Sequence, residues 1–303
     1  MVWSNAPGRG DEGGGSQEAE GLSRTVVHGA VSIVNAMANG LGAALGVGLR
    51  VEASCRLVEE PVFKTCSDGR LLKPGNLLEK VCNMILRDHG VRGGCVIDVR
   101  SEIPAKKGLK SSSAVSSAVA LACLKEVCGD ADLLKAAVYS AEASIQAGVS
   151  VTGAFDDASA CLLGGIAITN NFEKKLIARR TVKSSLRVLI LVPPGEMSSG
   201  KVDTMLFKPV EPLMRLAHRL ALEGEEWTAM TLNGLAVSTA LGISSKPAME
   251  ALRAGALAAG VSGKGPAIAA VAEPEDAEKV GRALSRFGRV IETSVCNENA
   301  SVE

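Results

Sequence analysis

Two lysines, a glycine, a third lysine and three serines occupy residues 106 to 113, inside IPAKKGLKSSSAVSSAVALACL (residues 103 to 124) and directly before a run of small apolar residues. That order predicts a helix from about Ser112 to Val127 with the lysine and serine stretch at its N-terminus. The first amides of a helix lack intrahelical acceptors, and the helix dipole leaves partial positive charge there, so the place suits an anion. Gly108 admits close backbone approach, Ser111, Ser112 and Ser113 add hydroxyls, and Lys106, Lys107 and Lys110 add charge. These are the parts of a phosphate cradle. This stretch has neither the GxxxxGK[ST] spacing of a Walker loop nor the GxGxxG of a dinucleotide fold. A Ser-capped helix preceded by solvated lysines has the same composition, so the residues by themselves reach only as far as an anion site.

The elements around this stretch follow from periodicity. SRTVVHGAVSIV and GAALGVGLRVEASCRLVEE carry β-branched residues in partial alternation and read as strands in a hairpin, and VFKTC followed by SDGR reads as a strand and its turn. NLLEKVCNMILRDHG puts Leu77, Leu78, Val81, Cys82, Ile85 and Leu86 on one helical face, with Gly90 as a stop. GCVIDVRSEIP, LRVLILVPP, PAIAAVAEP and RVIETSVC read as further strands. DADLLKAAVYSAEASIQAG reads as a helix capped by Asp130 or Asp132, and four helical patterns follow residue 210. Strands and helices interleave without regular βαβ spacing, which predicts an α+β fold.

Composition limits the function classes. The chain has 303 residues, 47% of them hydrophobic, enough for one large domain or two sharing an interface. Thirty-three basic and thirty-three acidic residues cancel, so no global field draws the chain to nucleic acid or an anionic membrane, and any anion site is local. The first 21 residues are rich in Gly, Ser and Glu and are expected to be a mobile leader. They contain no apolar signal core, and no stretch reaches the length of a membrane span, so a cytoplasmic protein is expected. The eight cysteines (Cys55, Cys66, Cys82, Cys95, Cys123, Cys128, Cys161 and Cys296) include no CxxC pair and are expected to be small buried hydrophobes in a reducing compartment.

Three segments in order carry a family resemblance. Pro104 through Ala114, read as P-x-x-x-G-L-x-S-S-x-A, resembles the second motif of the GHMP kinases, whose loop holds the phosphates of ATP. GVSGKGPAIAAV (residues 260 to 271) resembles their third motif, and GAFDDASACLLGG (residues 153 to 165) their Asp-bearing segment. GAVSIVNAMANGLGAALGVGLRVEA (residues 29 to 53) and KKGLKSSSA are most like the archaeal type of shikimate kinase. SGKGPA is also close to the third motif of homoserine kinases, which with mevalonate-type kinases are the alternatives. A non-catalytic ATP-binding protein on the same scaffold is the reading from another class.

The resemblance implies a two-part fold: an N-terminal half like domain 2 of ribosomal protein S5 over residues 22–180, and a ferredoxin-like half over 181–303, with the active site in the cleft between them. It implies ATP and Mg²⁺ as cofactors, a small alcohol as substrate, and neither nucleic acid nor membrane as partner. Pro104, Ala105, Lys106, Lys107, Gly108, Leu109, Lys110, Ser111, Ser112 and Ser113 would hold the phosphates, with Gly263, Lys264 and Gly265 closing the other wall. Ser112 and Glu142 would be the Mg²⁺ ligands. Asp156 would act as base or orient the hydroxyl, with Asp157 beside it as the alternative, and Lys110 joins them as the local cation. A carboxylate-bearing substrate needs a cation and hydrogen-bonding groups; His28, Asn35, Asn39, Thr152, Arg179 and Arg180 are possible contributors among which spacing does not choose.

Overall fold

A computed structural model describes residues 23–104, 109–194 and 202–302. Two sheets organise the chain. The first is built from β1 (Ser23–Val34), β2 (Leu41–Val58), β3 (Phe63–Ser67), β4 (Arg70–Leu71), β5 (Gly94–Ser101), β6 (Ile166–Asn170), β7 (Lys175–Arg180) and the C-terminal β12 (Ser301–Val302). Its order is β12-β1-β2-β5-β3-β4, with β6 and β7 joined through β2. The strand β2 is long enough to serve two neighbours in succession: Leu41 to Leu45 pair with β6, and Val51 to Val58 pair with β5. The helices α1 (Leu77–Asp88), α2 (Ser111–Cys128), α3 (Leu133–Gln146) and α4 (Phe155–Leu163) pack together against this sheet.

The second sheet contains β8 (Arg187–Val192), β9 (Ala258–Val261), β10 (Ile268–Ala272) and β11 (Arg289–Ser294) in the antiparallel order β11-β8-β10-β9. Between β8 and β9 run a 3₁₀ turn (Thr204–Val210) and α5 (Glu211–Glu223), α6 (Glu226–Leu241) and α7 (Lys246–Arg253); α8 (Pro274–Ser285) joins β10 to β11. The succession strand, helices, two strands, helix, strand with this order is the ferredoxin-like arrangement expected of the C-terminal half. The helix α6 lies between β9 and β1. It comes so close to β9 that a Cβ on Gly234 would stand 2.4 Å from the Gly260 Cα, so glycine is required on both sides of the contact.

The helix α2 shows why its sequence is so poor in large side chains. Covered by the sheet on one side and by α1, α3 and α4 on others, it buries residues around its whole circumference, and Ala, Ser and Val let the neighbours approach. Its mid-helix serines are satisfied internally: Ser116 Oγ lies 2.6 Å from Ser140 Oγ and donates to the Ser112 carbonyl at 2.7 Å, and Ser117 Oγ lies 3.2 Å from the same Ser140 Oγ.

Asp156 lies in the first turn of α4, whose N-cap is Ala154 in the left-handed conformation. The strands β6, β7, β9 and β12 were not foreseen: β6 and β9 are short and buried, without alternation, β12 has only two residues, and β7 carries three cations in six residues. Among the described residues no helix is long and apolar enough to cross a membrane.

Candidate active site

Three helix N-termini and one turn enclose a cavity of about 680 Å³. Asn76 and Leu77 at the start of α1, Lys110 to Ser113 at the start of α2, and Asp156 and Asp157 in the first turn of α4 line it, together with Gly263 and Lys264.

The start of α2 is open. Lys110 is its N-cap, held in the left-handed conformation at φ 60°, and no side chain caps the helix. The Lys110 carbonyl accepts from the amides of Ser113 (3.0 Å) and Ala114 (3.1 Å), whereas Ser111 and Ser112, the first two residues of the helix, have no backbone acceptor among the described residues. Their amides and hydroxyls are available to an anion in the cavity.

The Lys110 side chain turns to Asp157, donating from Nζ to both carboxylate oxygens at 2.6 Å. The pair is nearly closed to solvent, with side-chain exposures of 11% and 5%. Burial drives the Asp157 carboxyl up, the neighbouring charge of Asp156 drives it further, and Lys110 only partly opposes them, so its pKa is pushed up to about 7. Burial pulls the Lys110 ammonium down, but the charges of Asp157 and Asp156 outweigh it and leave it above its ordinary value. The site therefore holds the Lys110 cation beside two carboxyls, and Asp157 holds its proton more tightly than an ordinary carboxyl.

Asp156 is fixed by Asn171, at the end of β6. Asn171 Nδ2 donates to Asp156 Oδ1 at 2.7 Å, and the Asp156 amide donates back to Asn171 Oδ1 at 3.0 Å. Thr169 Oγ1 also donates to that oxygen, at 2.7 Å. On the other side lies Gly42 of β2, where a Cβ would stand 2.7 Å from Asp156 Oδ2. Sequence reading missed both Asn171 and Gly42. Asn171 is 15 residues from its partner and Gly42 is 114 away, so no local spacing signals either contact.

The glycine turn of residues 262 to 265 is tied to β1. Gly263 N donates to Ser32 Oγ at 3.1 Å, and Asn35 Nδ2 donates to the Gly263 carbonyl at 2.7 Å. The Asn35 amide is in turn held by Asn233 Oδ1 of α6 at 2.9 Å. Lys264 reaches back over the cavity to donate from Nζ to the Val149 carbonyl at 2.9 Å. Burial and then the charge of Lys110 lower its pKa.

Of the residues expected at the site, Leu109, Lys110, Ser111, Ser112, Ser113, Asp156, Asp157, Gly263 and Lys264 line this one cavity. Gly265 forms the turn just outside it, at φ 69°, where a Cβ would strike Ile243. Pro104 lines a separate depression with Pro193 and Gly288. Ala105, Lys106, Lys107 and Gly108 lie outside the described residues. Glu142 is not brought to the cavity: Lys174 Nζ stands 3.2 Å from its carboxylate, while Ser144, two residues on and so about 200° around the helix, does line the cavity.

Among the possible substrate contacts, Asn35 and Thr152 line the cavity. Asn39 donates to Glu211, Arg179 to the Leu163 and Asn297 carbonyls, and Arg180 to the Ala221 and Leu222 carbonyls at the end of α5. Both arginines therefore hold the framework. His28 lies on β1, outside the cavity lining.

Comparison with known proteins follows the same outline. The family description GHMP kinases N terminal domain matches residues 76–165, and GHMP kinases C terminal matches residues 229–290. The chain is 38% identical over 283 residues to the shikimate kinase of Methanothermobacter thermautotrophicus, covering 90% of this chain and 96% of that protein. It is 37% identical over 268 residues to the shikimate kinase of Pyrococcus abyssi, covering 88% and 96%. Among solved structures, a homoserine kinase from Cytophaga hutchinsonii superposes with a TM-score of 0.69 at 20% identity, over 95% of this chain and 99% of that one. A mevalonate kinase superposes with a TM-score of 0.65 at 15% identity, over 91% and 99%; at these identities the likeness is one of fold.

Proposed function

The chain belongs to the GHMP kinase family, and we propose that it transfers the terminal phosphoryl group of ATP to a hydroxyl of shikimate. The observation that carries the chemistry is the meeting of the open start of α2 with Lys110, Asp156 and Asp157 in one cavity. The substrate rests on the relatives named shikimate kinase, matched at 34–38% identity over about nine-tenths of the chain.

In this reading the amides and hydroxyls of Ser111 and Ser112 bind the polyphosphate, and Lys264 and the Gly263 turn close the opposite wall. The acceptor oxygen attacks phosphorus, the bond to the leaving ADP oxygen breaks, and the hydroxyl proton goes to a carboxylate. Asp157 is the acceptor, since its proton affinity lies near neutrality, and Asp156, clamped by Asn171, positions the hydroxyl. Lys110 keeps Asp157 oriented and offsets the charge that builds on the transferred group.

Mg²⁺ would neutralise the phosphates and takes oxygen ligands while keeping several waters. The cavity fits it through the Ser112 hydroxyl, whereas Glu142 joins only if it leaves Lys174. A division near residue 180 into a nucleotide-binding half and a C-terminal half belongs to the same reading, with β12 returning to the first sheet.

Coupled ADP release at saturating MgATP, with shikimate, homoserine and mevalonate in parallel, tests the proposal. Turnover with shikimate alone is expected. Turnover with one of the others instead overturns the substrate, and none with any of them overturns the kinase reading.

A further inference from the structure

Four of the eight cysteines, far apart in sequence, meet in space. Cys55 on β2, Cys82 on α1, Cys95 on β5 and Cys123 on α2 bring their sulfurs within 4.8 Å of one another. Each is fully buried, at 0% exposure. The remaining cysteines, Cys66, Cys128, Cys161 and Cys296, stand outside this group.

That spread suits a four-ligand site. Were the sulfurs at the corners of a regular tetrahedron with edges of that length, its centre would lie about 2.9 Å from each, and an ion would draw each sulfur inward by about 0.6 Å to reach a Zn–S distance of about 2.3 Å. Two ligands come from neighbouring strands of one sheet and two from helices packed on it, so all four directions are fixed by rigid elements. Four soft sulfurs in this arrangement select a thiophilic cation over Mg²⁺, which takes oxygen.

The thiols already interact. Hydrogen bonds from Cys123, Cys55 and Cys82 pull Cys95 well below the ordinary thiol value, while Cys82 and Cys123 are pushed up, chiefly by hydrogen bonds to Cys123 and Cys55 respectively.

We propose that Cys55, Cys82, Cys95 and Cys123 bind one thiophilic tetrahedral cation, Zn²⁺ in the first instance, as a structural centre between the first sheet and the helices α1 and α2. Four metal–sulfur bonds form and up to four S–H protons leave to solvent, so binding strengthens as pH rises. No redox change is involved. The centre cross-links β2 and β5 to α1 and α2, the helices whose first turns line the cavity. Full burial means the ion enters as the chain folds and leaves only when it opens.

The test uses the full-length chain, purified without chelator and also unfolded in denaturant with chelator and refolded under thiol-reducing conditions with and without one equivalent of Zn²⁺ or Co²⁺. Bound metal near one Zn²⁺ per chain is expected, with a Tm at least ~5 °C higher after refolding with zinc. Co²⁺ is expected to give the sulfur-to-metal charge-transfer bands of a four-thiolate site, a signature that oxygen ligation at the nucleotide site does not produce. The Cys82→Ser/Cys123→Ser double variant should lose the metal, and Cys128→Ser, an exposed thiol outside the cluster, should keep it. Metal below about a tenth per chain together with no cobalt–thiolate spectrum overturns the proposal, leaving four neutral thiols packed as small apolar side chains. Metal retained by the double variant overturns it as well. If that variant does not fold, the wild-type metal content and cobalt spectrum decide.

Discussion

Two helix starts face the same cavity and end differently. At the N-terminus of α1, Asn76 accepts hydrogen bonds from the amides of Leu78 (2.9 Å) and Glu79 (3.1 Å), and its orphan donors are consumed within the chain. At the N-terminus of α2 the cap is Lys110, left-handed and making no side-chain cap bond, and α4 begins with Ala154 at φ 55°, its Asp156 amide taken up by Asn171 Oδ1. The chain caps α1 from its own N-cap side chain and caps neither α2 nor α4 in that way. A left-handed lysine and a left-handed alanine are costly, by about 1–2 kcal/mol each. Their coincidence at one cavity points to backbone shaped for a ligand rather than for stability.

The contrast can be broken at its charged centre first. Asp157→Asn leaves Lys110 buried beside a neutral amide, and turnover should fall about 10²–10⁴-fold in the coupled assay. The wild-type kcat/KM should climb with pH through about 7, as the Asp157 proton is lost, and the variant should lose that limb. The sign for stability is opposite. A carboxyl raised from 3.8 to about 7 on folding contributes stability that is fully present below 3.8 and lost as pH rises through 7. Thermal melts of wild type against Asp157→Asn over that window should show it.

Gly42→Ala comes next. Its methyl would collide with Asp156, and either the carboxylate or the strand must move, so turnover should drop about tenfold with about 1–3 kcal/mol of stability. Ser112→Ala should raise the Mg²⁺ concentration giving half-maximal rate about tenfold if one hydroxyl ligand is worth about 1.4 kcal/mol. Glu142→Gln, which loses only a half-exposed ion pair with Lys174, should move it less than about twofold. Smallest is Asn76→Ala, which removes an ordinary cap and should cost about 1 kcal/mol in a denaturant melt.

The same contrast separates what the sequence discloses from what it conceals. The lysine and serine run, the paired aspartates and the glycine turn are contiguous, because close backbone approach and helix-end chemistry require particular residues side by side. The α1 and α2 helices and the β2, β5, β8 and β10 strands were legible for a similar reason, since burial on one face or along a whole strand imposes a period. Asn171, Gly42 and Ser32 act across the fold, and their partners are fixed only once β1, β2, β6 and α4 are packed. The four thiols are the extreme case. Without a short CxxC spacing they read as ordinary small hydrophobes, and only the tertiary fold brings them together. Glu142, given as a ligand by the resemblance, is turned by helix phase to Lys174.

The most direct measurement is a crystal structure with a non-hydrolysable ATP analogue and Mg²⁺. The expected result places the terminal phosphates within hydrogen-bond distance of the Ser111 and Ser112 amides, with the γ-phosphate between α2 and the Lys110–Asp157 pair. A nucleotide seated elsewhere, with the start of α2 left open to water, would contradict it.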